Sequence, residues 1–112
     1  KTQGAEVVIL YTHWGTEFVN EPGQKIKNLA HEFIDAGADL IIGSHPHVIQ
    51  PKEIYKGKAI YYSLGNFIFD QYFRDGTQKG MGVEVSIDPK TKKVDFKEYN
   101  FSLLKNRQTV QN

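Results

Sequence analysis

The sequence predicts an α/β domain in which a β-α-β unit is followed by antiparallel hairpins, and three observations carry that prediction. Two apolar runs of strand length, Glu6 to Thr12 and Ala38 to Ile42, are each followed closely by histidine. A single segment of helical periodicity lies between them, so the crossover places both strands parallel in one sheet. Downstream, Met81 to Ile87 and Val94 to Leu103 are joined by the turn-rich link Asp88 to Lys93, the mark of an antiparallel hairpin.

Each element has its own warrant. The helix is expected from about Pro22 to Ala36: Pro22 suits a first turn, Ile26, Leu29, Ala30, Phe33 and Ile34 recur at helical spacing, and Gly37 offers a left-handed stop. His31 sits off that stripe beside Glu32, which predicts a solvent-facing residue and no ligand. Asp39 is expected to close the helix-to-strand loop, and Gln50 to fix the backbone after His47. Glu53 to Tyr55 and Ala59 to Leu64 flank a turn at Gly57 and form a hairpin, which Gly65 and Asn66 halt. The large side chains of Phe67 to Gln71 are expected to pack against the sheet. Tyr72 to Gly80 reads as a flexible surface loop, and the polar tail from Lys105 as frayed.

Composition narrows the function. The 112 residues are 39% hydrophobic and 24% charged, with seven Phe, six Tyr and one Trp, which is enough for one small core. A net charge of +1 with dispersed lysines supplies no electrostatic footprint for nucleic acid. Without cysteine there are neither disulfides nor thiolate metal sites. No apolar run approaches the ~20 residues of a membrane span, and Lys1 to Gly4 lack signal-peptide architecture.

The chemistry lies in the histidines. In an extended backbone, residues i and i+2 project to the same face, so His45 and His47 would offer both rings to one ion or a close pair of ions. Pro46 fixes its own φ and disfavours the helical region at His45, which predicts an extended pair. A His-x-His match alone is equally an ordinary histidine-bearing loop. His13 changes the balance, because parallel strands bring equivalent ends together. His13, His45 and His47 are then expected to converge at the carboxyl edge of the sheet, where ligands of open α/β sheets bind. Nitrogen donors of this kind suit zinc, iron, manganese or nickel.

Three ordered segments, Tyr11 to Phe18, Gly43 to Gln50 and Tyr62 to Asp70, resemble those of the CapA family of capsule and poly-γ-glutamate synthesis proteins. That family is similar to the calcineurin-like metallophosphatases. The resemblance implies the later part of a metallophosphatase-like α/β sandwich, with residues 1–112 as one unit forming the C-terminal portion of a larger domain. His13 would correspond to the isolated histidine ligand, and His45 and His47 to the terminal Gly-His-x-His motif, here with Ser44 inserted after Gly43. The implied cofactor is a divalent ion (Mn, Fe or Zn), dinuclear in the full-length domain. The family's earlier motifs, a bridging aspartate among them, would precede Lys1, so this chain alone would be catalytically incomplete. Its implied partners are the N-terminal part of the same domain, a polyanionic polymer and other capsule synthesis subunits. The implied setting is the bacterial cell surface, membrane-anchored or extracellular.

Two functions follow from that resemblance. One is metal-dependent phosphoester hydrolysis, in which water activated at the metal attacks the ester. The alternative is a non-catalytic surface subunit that binds or exports polyanionic polymer. A third reading, an unrelated small metal-binding protein, requires the chain to be complete. Around the histidines, Glu17 is either an acid, base or ligand-orienting carboxylate, or a solvated loop residue. Trp14 is expected to anchor the strand end by packing more than to contact substrate. Asn66 and Asp70 would line the pocket or serve only their local turns.

Overall fold

The computed structural model describes residues 1–112. Strand β1 (Ile9–His13), helix α1 (Gln24–Asp35), β2 (Leu40–Ser44), β3 (Lys52–Tyr55) and β4 (Lys58–Tyr61) make the first half. Strands β5 (Lys79–Ile87), β6 (Val94–Leu103) and β7 (Thr109–Gln111) make the second. The first sheet has the order β1-β2-β4-β3, with β1, β2 and β4 parallel and β3 antiparallel to β4. The second is the antiparallel meander β5-β6-β7. The expected β-α-β unit and the hairpins that follow it are therefore present.

Alternation along the two central strands sets the layers. Ile41 and Ile60 point toward α1, where they join Trp14, Ala30, Ile34, Ala38 and Tyr62 in one core. Leu40, Ile42, Ala59 and Tyr61 point the other way and pack with Met81, Val83, Val85 and Phe96 of the second sheet. The unbroken apolar run of β2 is what burial on both faces demands. Removing the fully buried Leu40, Ile41 and Ile60 side chains from water stabilises the fold by roughly 1.5–3 kcal/mol each. No helix is long and apolar enough to cross a membrane.

Several expectations need correction. The helix opens at Gln24, because Gly23 is extended (ψ 160°) and serves as the N-cap, which leaves the buried Pro22 outside it. At the other end Gly37, at φ +117°, provides the left-handed stop. His31 is half-buried: it stacks on Tyr55, ring centroids 3.9 Å apart, and pairs with Glu53 at 2.9 Å. Strand β4 ends at Tyr61; beyond it Leu64 bridges to Ile49 and its N–H donates to the Gly43 carbonyl at 3.3 Å.

The aromatic segment packs against the sheets only in part: Phe67 meets Phe101 of β6 edge-on, ring centroids 5.1 Å apart, while Phe67, Ile68 and Phe69 stay 55, 77 and 47% exposed. The loop after it is pinned by a 3₁₀ turn at Asp75–Gln78, where the fully buried Thr77 hydroxyl shares its one hydrogen between the Gln71 and Arg74 carbonyls. The tail forms β7 on the edge of β6. Backbone pairing suffices there, with Leu104 and Arg107 closing a tight turn, so an apolar pattern was not required.

Candidate metal centre

Parallel pairing of β1 with β2 aligns His13 opposite Ser44, so both strands release their chains at one edge. Beyond that edge two backbone hydrogen bonds fasten the loops together: Trp14 N–H donates to the Ser44 carbonyl at 3.1 Å, and Phe18 N–H to the Pro46 carbonyl at 2.8 Å. Trp14 is buried, and its indole N–H donates to the Tyr62 carbonyl at 2.9 Å, so it anchors the edge by packing and hydrogen bonding.

This clamp changes the expected backbone. His45 and His47 are not extended; their φ angles are +107° and +62°. Successive carbonyls at Ser44 and Pro46 both turn toward the 14–18 loop, and the histidines absorb the bend in a region of φ that β-carbons disfavour. The rings still meet, with centroids 5.7 Å apart, through a bend instead of a pleat.

The same clamp delivers Glu17. One ligand atom from each of Glu17, His45 and His47 lies within 4.8 Å of the other two. His13 stands beside this group, its ring centroid 4.4 Å from that of His45. A carboxylate with two imidazoles is a donor set that divalent Zn, Mn or Fe accepts.

Asn66 fixes the state of one donor. Its buried amide nitrogen donates to the Thr77 carbonyl at 2.9 Å, which can only accept, so the amide oxygen must face His47. That oxygen lies 2.9 Å from His47 Nδ1, which therefore donates to it, so the lone pair of the neutral ring is at Nε2. An outer residue that sets the tautomer of a histidine in this way is typical of metal ligands, so the residues present fit a divalent ion. Asn66 is itself held by the second sheet: its N–H donates to the Lys79 carbonyl at 3.1 Å, and Gly65 bridges to Gly80.

Asp70 lies elsewhere. It is exposed, with its carboxylate 3.4 Å from Arg107. Three residues not anticipated from the sequence form the rim of the site. Phe69 and Phe18 flank His47, with ring centroids at 5.0 and 6.1 Å, and Phe73 meets Phe18 edge-on at 5.1 Å. Adjacency of Phe18 to Glu17 was the one available signal for this rim.

Away from the site, Asp39 is a buried charge centre. Burial pushes its carboxyl up, but the Val8 N–H and the ammonium groups of Lys58 and Lys1 outweigh that and hold it at about 2. Gln50 is buried and donates to the Val19 carbonyl at 2.8 Å, which ties the segment after His47 to the loop after Glu17.

Residues 1–71 match the family described as bacterial capsule synthesis protein PGA_cap. The chain is 52% identical over 67 residues to the PGA biosynthesis protein CapA of Bacillus subtilis, covering 60% of this chain and 18% of that protein. It is 51% identical over 71 residues to the capsule biosynthesis protein CapA of Bacillus anthracis, covering 63% of this chain and 17% of that protein. The chain thus spans less than a fifth of the length of these relatives.

Proposed function

The chain belongs to the bacterial capsule synthesis protein family PGA_cap, and from that premise we propose that Glu17, His45 and His47 hold a divalent ion in a metal-dependent phosphoester hydrolase. The observation that carries this reading is the meeting of three donors on two clamped loops, one of them with its tautomer fixed by Asn66. Manganese, iron or zinc would supply Lewis acidity and lower the pKa of bound water.

The chain's own residues do the rest. Asn66 keeps His47 Nδ1 protonated, so that Nε2 can donate its lone pair. Glu17 supplies the negative charge that balances the ion, and His13 extends the donor set along the sheet edge. Phe18 and Phe69 place apolar rings beside His47. A dinuclear centre would need a bridging carboxylate from another part of the full-length protein. We place that protein at the bacterial cell surface, acting with other capsule synthesis subunits.

A second reading, a subunit that binds polyanionic polymer without cleaving it, is favoured by the Arg74 guanidinium, which lies over the Phe18 ring with no acidic partner. One assay separates the two. The full-length protein with manganese should hydrolyse bis(p-nitrophenyl) phosphate, and His45→Ala with His47→Ala should abolish the activity. Retained manganese without hydrolysis would favour the polymer-binding reading.

A further inference from the structure

Arg74 shares the Phe18 ring with His47 and has no acidic partner. Its guanidinium lies over the Phe18 ring, 5.4 Å from the centroid, and the same ring flanks His47 at 6.1 Å. Its side-chain hydrogen bond is a long one, from Nη1 to the Phe18 carbonyl at 3.5 Å. Arg107, by contrast, is paired with Asp70. A guanidinium has five N–H donors in a planar fork, so most of those of Arg74 remain available.

The position is held, not incidental. The Arg74 carbonyl accepts from the Thr77 hydroxyl at 2.7 Å and the Thr77 N–H at 3.2 Å, and Thr77 is fully buried. Phe73, next in the chain, packs edge-on against Phe18. Backbone and neighbouring ring thus hold the side chain over the Phe18 ring, which also flanks His47.

We propose that Arg74 binds a second oxyanion of the ligand, a carboxylate or phosphate displaced by one aromatic ring from the group held at His47. This rests on the Glu17–His45–His47 cluster being the ligand site. It narrows the ligand class to molecules with at least two anionic groups, as a bidentate fork favours planar oxyanions over neutral groups.

Calorimetric titration of the full-length, manganese-loaded protein with hexaglutamate and with propane-1,3-diyl bisphosphate tests this. In Arg74→Ala and in Arg74→Gln, which keeps a donor for the Phe18 carbonyl, affinity for at least one probe should fall about tenfold. The salt dependence should flatten, and Arg74→Lys should recover part of the loss. Loss confined to hexaglutamate identifies a carboxylate, and loss confined to the bisphosphate identifies a phosphate. Affinities within twofold of the parent, or a parent that binds neither probe, would overturn the proposal. Manganese content reports separately on the cluster: Arg74 variants should keep it and His47→Ala should lose it. A parent without manganese would remove the metal reading while leaving the Arg74 effect to be read from the titrations.

Discussion

Gly43→Ala should unfold the edge that carries the site. A β-carbon at Gly43 would overlap the Tyr62 carbonyl and lie 2.6 Å from Trp14 Nε1 and 2.8 Å from the Tyr61 carbonyl. Two of these three atoms are backbone and cannot rotate away, so β2 and the chain after β4 must separate by about 1 Å to reach ordinary contact. That separation breaks the Trp14 to Tyr62 hydrogen bond and the 3.3 Å bond from Leu64 N–H to the Gly43 carbonyl. With a buried carbonyl and a buried indole N–H left unpaired, the cost is about 3 kcal/mol. For a domain of this size that corresponds to a fall of about 12 °C in Tm. Trp14 is the one tryptophan of these 112 residues, so thermal melting of this chain followed by its fluorescence reads the perturbed contact directly. A Gly43→Ala protein that melts within about 2 °C of the parent, with unchanged emission, would refute the close packing argued here.

Other perturbations give separate checks. Asn66→Ala removes the partner of His47 Nδ1 and should weaken manganese binding about 10–100-fold in equilibrium dialysis, and unchanged affinity would contradict the assigned tautomer. Asp39, held at about 2 against an ordinary 3.8, has a folded pKa below its unfolded one. Its contribution, on the order of 2 kcal/mol, is complete above the unfolded value and lost as pH falls from about 4 to about 2. Denaturant melts of Asp39→Asn should therefore lack that part of the acid-induced loss, whereas parallel curves for variant and parent would count against it.

The fold was legible where local pattern and tertiary demand coincide. Leu40 to Ile42 and the helical stripe of Ile26, Ala30, Phe33 and Ile34 announce a buried parallel strand and its crossover helix, and both are found. The second sheet followed from turn chemistry at Asp88, whose carboxylate accepts from the Lys90 and Thr91 N–H groups. Backbone pairing without an apolar signal escaped notice, as at β7, and so did burial of a single hydroxyl, as at Thr77. At the site, the approach of His13, His45 and His47 follows from parallel topology, which sequence order dictates. The clamp that bends the histidine pair and brings in Glu17 depends on Trp14 and Phe18 N–H groups meeting carbonyls about thirty residues away, and main-chain atoms leave no trace in side-chain identity. For the same reason the sequence leaves Glu17 open between an acid, base or ligand-orienting carboxylate and a solvated loop residue.

The most direct test of the metal centre is elemental analysis of the full-length protein beside its His45→Ala with His47→Ala and Glu17→Gln variants. At least one divalent ion per chain in the parent, lost in the double histidine variant and weakened in Glu17→Gln, is the predicted result. Equal metal content in all three, or none in the parent, would contradict a centre built on these residues.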